Sequence, residues 1–94
     1  MSILEPAATS VAEIAFFVEN IGLPQTAKKF VVEVFEFFDT LSDDRIEHRP
    51  CAHEAWKNLN YKCITYKKKY VVAYISTPKE IIICEFVSSK LIVF

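Results

Sequence analysis

The apolar residues of this chain change their spacing once, and the change divides it. Up to residue 41 they recur every three or four positions; from residue 61 they come in short β-branched and aromatic blocks. The first spacing suits one face of a helix and the second suits strands. A chain that is helical first and stranded second belongs to the α+β class.

"SILEP" reads as a short strand that Pro6 stops early. Ser10 and Glu13 stand at capping-box spacing, and Val11, Ile14, Ala15, Val18 and Ile21 form a helical stripe. Gly22 occupies the position after a helix end, so the first helix is predicted over about Val11 to Ile21. A second helix is predicted from Pro24 to Leu41, with Ala27, Phe30, Val31, Val34, Phe37, Phe38 and Leu41 on its apolar side. The tight link between the helices makes an antiparallel αα-hairpin, and both stripes need a sheet to cover them.

Residues 42–50 are polar and end in proline, as a loop does. "CAHEAWKNLN" suits a short helix or an irregular crossing, with Trp56 and Leu59 as its anchors. Strands follow over Tyr61–Tyr66, Tyr70–Ser76 and Glu80–Val87, separated by "KKK" and "TPK". They should form an antiparallel meander. The predicted order is (β)ααβββ, an N-terminal helical hairpin packed on a small antiparallel sheet. The last two strands are apolar on both faces, so the face away from the helices needs a cover, and the tail "LIVF" at 91–94 could supply part of it.

Ninety-four residues suit a single domain over 1–94, and an apolar content of 52% is enough for a real core. The single glycine excludes a Gly-rich phosphate loop, and no cofactor motif is present. No apolar run reaches the roughly 20 residues that span a bilayer, and "MSILEPAATS" lacks the features of a signal peptide. The chain is therefore expected in the cytoplasm, without a membrane partner. Its cysteines, Cys51, Cys63 and Cys84, are odd in number and widely spaced, so they are expected reduced, with Cys63 and Cys84 buried in strands.

The net charge of −1 hides an asymmetry: residues 1–50 carry four Lys/Arg against nine Asp/Glu, and residues 51–94 seven Lys against three Glu. The basic half contains Lys67, Lys68 and Lys69, at the tip between two predicted strands. Charges at a hairpin tip keep an edge soluble. They can also dock an acidic partner or nucleic acid.

Two stretches resemble the RelE/ParE toxin family of bacterial type II toxin–antitoxin (plasmid stabilization) modules. "SVAEIAFFVENIGLPQTAKKFVVEVFEFFDTLS" is similar to the family's helical hairpin. "WKNLNYKCITYKKKYVVAYISTPKEIIICEFVSS" is similar to its strand pattern, with Lys57, Leu59, Tyr61 and Lys62 on the first part, Tyr70, Val71, Val72 and Tyr74 on the next, and Ile81, Ile83 and Val87 on the last. The resemblance implies a growth-inhibiting toxin held by a cognate antitoxin. It implies one of two activities: inhibition of DNA gyrase, as in ParE-like members, or cleavage of messenger RNA on the ribosome, as in RelE-like ones.

RNA cleavage through the 2′-OH needs a base, an acid and stabilisation of the phosphate charge. The resemblance puts Lys62 at the family's usual arginine position, where it supplies charge without the bidentate fork. Lys90, after Ser88 and Ser89, stands where the family often has His or Arg, and no Tyr or His follows Tyr74. Lys62 and Lys90 are thus the catalytic candidates, and Lys62 with Lys67–Lys69 the candidates for target or nucleic-acid contact. An overall negative chain is also poorly matched to ribosomal RNA. The balance favours a ParE-like toxin that binds a protein; an endoribonuclease and an inactive binding module are the alternatives. Arg45 and Arg49 are further possible contacts. His48, Cys51 and His53 lie close together, but the spacing fits no standard zinc site, and the histidines read as loop or surface residues unless segment 42–60 folds over the sheet. Trp56 reads as a core plug, with an interface role as the alternative. An antitoxin could add a strand to the sheet edge or lay a helix in a groove, and a homodimer is the rival use of that surface.

Overall fold

The structure is a computed structural model, and it describes residues 1–43 and 48–91. Its elements are β1 (Ser2–Ile3), α1 (Glu5–Asn20), α2 (Pro24–Thr40), α3 (Glu54–Asn58), β2 (Lys62–Tyr66), β3 (Tyr70–Ser76) and β4 (Ile81–Ser88). Two helices pack on a four-stranded mixed sheet of order β1-β4-β3-β2. The antiparallel meander is present, and β1 adds to it in parallel through Ser2↔Ile82 and Ile3↔Ile83.

Helix α1 begins six residues before the expected Val11. Leu4 is its N-cap, with extended backbone and no side-chain cap, and Pro6 lies in the first turn. Proline is tolerated there because the N–H it lacks would have no helical partner. Ala7 is fully buried, so this added turn packs as well as extends. Ser10 and Glu13 are therefore helix-interior residues. The far end matches expectation. Gly22 has φ +92, its N–H reaches the Glu19 carbonyl at 3.0 Å, and the Leu23 N–H reaches that of Val18 at 3.2 Å. That pair is a Schellman motif.

The helix-side core joins Val11 of α1 and Val34 and Phe38 of α2 to Val72, Ile83 and Phe86 of the sheet. Burying a side chain such as Phe38 or Phe86 contributes about 2–3 kcal/mol. The Phe86 ring stacks on Tyr70 with centroids 4.9 Å apart and meets Phe38 edge-on at 6.0 Å.

The opposite sheet face has its own core of Cys51, Trp56, Val71 and Ala73, flanked by Tyr61, Cys63 and Val87. Of the tail expected to help cover it, Leu91 is 80% exposed and residues 92–94 lie outside the described residues. The chain from Arg49 to Tyr61 covers part of this face. The Cys63 N–H donates to Arg49 at 3.1 Å and the Cys51 N–H to Tyr61 at 2.9 Å, so this segment extends the sheet beyond β2 before crossing it. Trp56 is the plug the sequence suggested. Leu59 is not an anchor and is 55% exposed. The short helix ends at Asn58, and Asn60 turns the chain with φ 61 toward β2, leaving Leu59 outside.

The expectation that all three cysteines are reduced does not hold. Cys51 and Cys63 form a disulfide, with Cα atoms 4.9 Å apart. The pairing of Pro50 with Lys62 brings the two residues within bonding range. Cys84 is a buried free thiol, as expected of a strand cysteine. It is the extra residue of a β-bulge: Ala73 faces Glu85 and Tyr74 faces Ile83, so Cys84 has no partner across the ladder.

Candidate functional site

The lysine tip is a tight reversal. Lys67 and Lys68 both have left-handed backbone, with φ 53 and 59, and the Lys69 N–H reaches the Tyr66 carbonyl at 3.1 Å. This is the handedness of a two-residue hairpin turn, usually built from Asn and Gly. The three side chains have different situations. Lys67 donates to Glu33 of α2 at 2.7 Å and leans over the Tyr66 ring, and Lys29 approaches the same carboxylate at 3.8 Å. The Lys67 hydrogen bond holds the Glu33 carboxyl below its ordinary pKa and pushes the Lys67 ammonium up. Lys68 and Lys69 have no ion-pair partner among the described residues.

Lys90 comes to the same end of the sheet. With Lys68, Lys69, Ser88 and Ser89 it lines a depression of about 240 Å³. The Ser89 N–H donates to the Lys69 carbonyl at 2.8 Å, which ties the end of β4 to the tip. On the other side of Lys69 a larger crevice of about 370 Å³ opens between the helical hairpin and the tip.

Lys62 is elsewhere. It pairs across the ladder with Tyr74, whereas the β4 end beside Lys90 pairs with Tyr70. Four residues of strand separate these rows, about 13 Å. Lys62 and Lys90 therefore do not converge on one phosphate.

Beside Lys62 stands a pair that sequence reasoning missed. The Tyr74 hydroxyl makes a short hydrogen bond to His48 Nδ1, and the rings meet edge to face at 5.6 Å. Burial pushes the His48 pKa down and the Lys62 charge adds to this; burial pushes the Tyr74 phenol up. At neutral pH the imidazole is neutral, and Nδ1 shares one hydrogen bond with the protonated phenol, its direction set by the imidazole tautomer. Nδ1 is therefore already engaged. Only the condition that segment 42–60 folds over the sheet hinted at such a placement for His48. His53 and Arg49 are exposed, and Arg45 lies outside the described residues. Cys51 is spent in the disulfide, and no group of three metal-ligating side chains occurs among the described residues.

The sheet face away from the helices offers phosphate little. By strand alternation it carries Cys63, Thr65, Val71, Ala73 and Val87, and the charged side chain that β2–β4 place there is Glu85. Burial pushes the Glu85 carboxyl up. Behind it the Cys84 thiol, also pushed up by burial, neighbours Tyr61.

The helical hairpin is the reverse case. Its outer surface exposes Phe16 and Phe17 at 66% and 64%, with Val32 and Phe35. Ala15, Ala27 and Val31 floor a shallow groove between the helices, and Glu19 and Lys28 line it too. No helix among the described residues is long and apolar enough to cross a membrane.

No protein-family model, no curated protein and no solved structure matches the chain.

Proposed function

We propose that this chain is the toxin of a bacterial type II toxin–antitoxin module of the RelE/ParE kind, acting in the cytoplasm by binding a protein target such as DNA gyrase. The carrying observation is the contrast between two surfaces. The hairpin offers solvent-facing aromatic and aliphatic side chains, as a protein-binding surface does. The far sheet face is closed by Trp56 and the disulfide strap and presents a carboxylate where RNA cleavage needs cations. The element order also accords with the family resemblance of the sequence. In this reading the cognate antitoxin covers the hairpin's apolar face, and a homodimer through that face is the competing occupant.

A second reading, ribosome-dependent cleavage of messenger RNA, has one observation in its favour: His48 and Tyr74 lie beside Lys62. Against it, Nδ1 is engaged and the other lysine candidate, Lys90, is distant.

Induced expression in bacteria is the test. Growth arrest with relaxation of plasmid supercoiling and intact transcripts supports the first reading. Arrest with cleaved transcripts supports the second. No arrest leaves an inactive binding module. A cytoplasmic setting also exposes Cys51 and Cys63 to the glutathione pool. Alkylation of acid-quenched cells reads whether the bond exists there.

A further inference from the structure

We propose that the crevice between the helical hairpin and the β2–β3 turn docks an acidic segment of another polypeptide, anchored by an aromatic or branched aliphatic side chain. The inference does not require the chain to be a toxin.

The walls are apolar. Ile14 and Val18 of α1 face Phe30 of α2, with Tyr66 and Tyr70 of the β-hairpin behind. The Phe30 and Tyr70 rings lie 6.0 Å apart and tilted, which leaves aromatic surface for an inserted side chain. A volume of about 370 Å³ is at the small end of the range for binding pockets. It suits one or two side chains and not a whole helix.

The rim is cationic. Lys29, Lys67 and Lys69 border the crevice, against one carboxylate, Glu33. Lys67 and Lys29 already share that carboxylate. Lys69 is left without an ion partner among the described residues, and Lys68 and Lys90 stand just beyond it. A neutral apolar guest would leave this charge unanswered, and a bare anion would leave the aromatic wall unused. A guest with both features answers both. Tyr66 lies under the rim, with the Lys67 ammonium 5.4 Å from its ring centroid, so aromatic surface and positive charge meet at this wall.

The same observations favour a peptide over nucleic acid. The helices forming the crevice belong to the acidic half of the chain, with nine Asp/Glu against four Lys/Arg in residues 1–50. A long run of phosphates meets that field over many charges, while a short acidic segment need only reach the lysine ridge. The aliphatic wall of Ile14 and Val18 also suits a leucine or phenylalanine better than the edge of a base.

The test is a nuclear magnetic resonance titration of the full chain with acetyl-DEFDL-amide. Its controls are acetyl-NQFNL-amide, which lacks the charge, acetyl-DEADA-amide, which lacks the anchor, and a single-stranded oligouridine. The expected result is shifts at the amides of Val18, Phe30 and Tyr70, with each control peptide weaker by about tenfold. Lys69→Glu should weaken the parent peptide similarly while keeping a native spectrum, because its ammonium is exposed. Val18→Gln is the second variant: it makes the apolar wall polar without adding charge, and it should weaken the parent peptide while the lysine rim is unchanged. No shifts at millimolar peptide, equal binding of the uncharged or anchorless control, or stronger shifts with oligouridine at these amides would overturn the proposal. Growth arrest is not read in this experiment, so its outcome and that of the toxin assay are independent.

Discussion

Glu33 on α2 holds Lys67 at the β2–β3 turn, Oε2 to Nζ 2.7 Å, across 34 residues of chain. The contact fastens the strained tip to the helical hairpin. It also divides the lysine run, since Lys67 points back to the helix while Lys68 and Lys69 remain free of ion partners among the described residues.

Glu33→Gln should remove this tether with little effect on the fold. Both groups are solvent-accessible, and exposed pairs are screened. Calorimetry should show a melting temperature within about 3 °C of the parent. The turn amides of Lys67 to Lys69 should exchange faster with solvent. A large loss of stability would show that the contact does more than orient a side chain.

Replacing Cys51 and Cys63 together by alanine should cost about 3 kcal/mol, the chain-entropy value for a loop of this size. The spacing is 12 residues. Denaturant titration of the parent with and without reductant supplies the control, and the reduced parent should approach the double variant. The quenching of Trp56 fluorescence should change in both, because the strap that carries Trp56 is loosened.

Acid should destabilise the protein through His48. Its folded pKa lies below the ordinary 6.5 because of burial and the Lys62 charge. Above 6.5 the imidazole is neutral in both folded and unfolded chain, and its contribution is whole. Between 6.5 and the lowered folded value the unfolded chain binds the extra proton, so stability falls as pH falls through that window. His48→Asn should flatten the melting profile there, read by thermal unfolding at half-unit steps of pH.

Glu85→Gln should stabilise the protein at neutral pH. Burial raises the folded pKa of Glu85 above 4.5, so its ionised form is disfavoured in the fold. The stability tied to the neutral carboxyl is present below the unfolded pKa and is lost as pH rises through the folded one. The amide stays neutral throughout. The gain in melting temperature should therefore be visible at pH 7 and absent at pH 4, and an equal gain at both would refute the electrostatic cause.

Much of the architecture was legible because it is local. The hairpin of Gly22 and Pro24 and the three strands after residue 60 rest on spacing and turn chemistry, and they occur where that chemistry puts them. What was missed is long-range. The Ser10–Glu13 pattern is a true capping pattern, yet burial of Ala7 against the sheet outweighed it and carried the helix back to Glu5. The disulfide was hidden because two cysteines in different local settings meet only when Pro50 pairs with Lys62. The candidate surfaces divide in the same way. The lysine run was visible as charge; that Lys67 is tethered, that Lys90 joins Lys68 and Lys69, and that Lys62 sits apart with His48 and Tyr74 are matters of register.

The parallel pairing of Ser2 with Ile82 sets the order in which this molecule can be finished. During synthesis the helical hairpin leaves the ribosome well before the meander that is to cover it. From Leu41 to the end of β4 at Ser88 takes about five seconds at roughly ten residues per second. Over that interval the phenylalanines of α2 have no sheet to lie on, and the first strand waits for the last. Nascent chains stalled before Ile82 should therefore be the ones that chaperones capture.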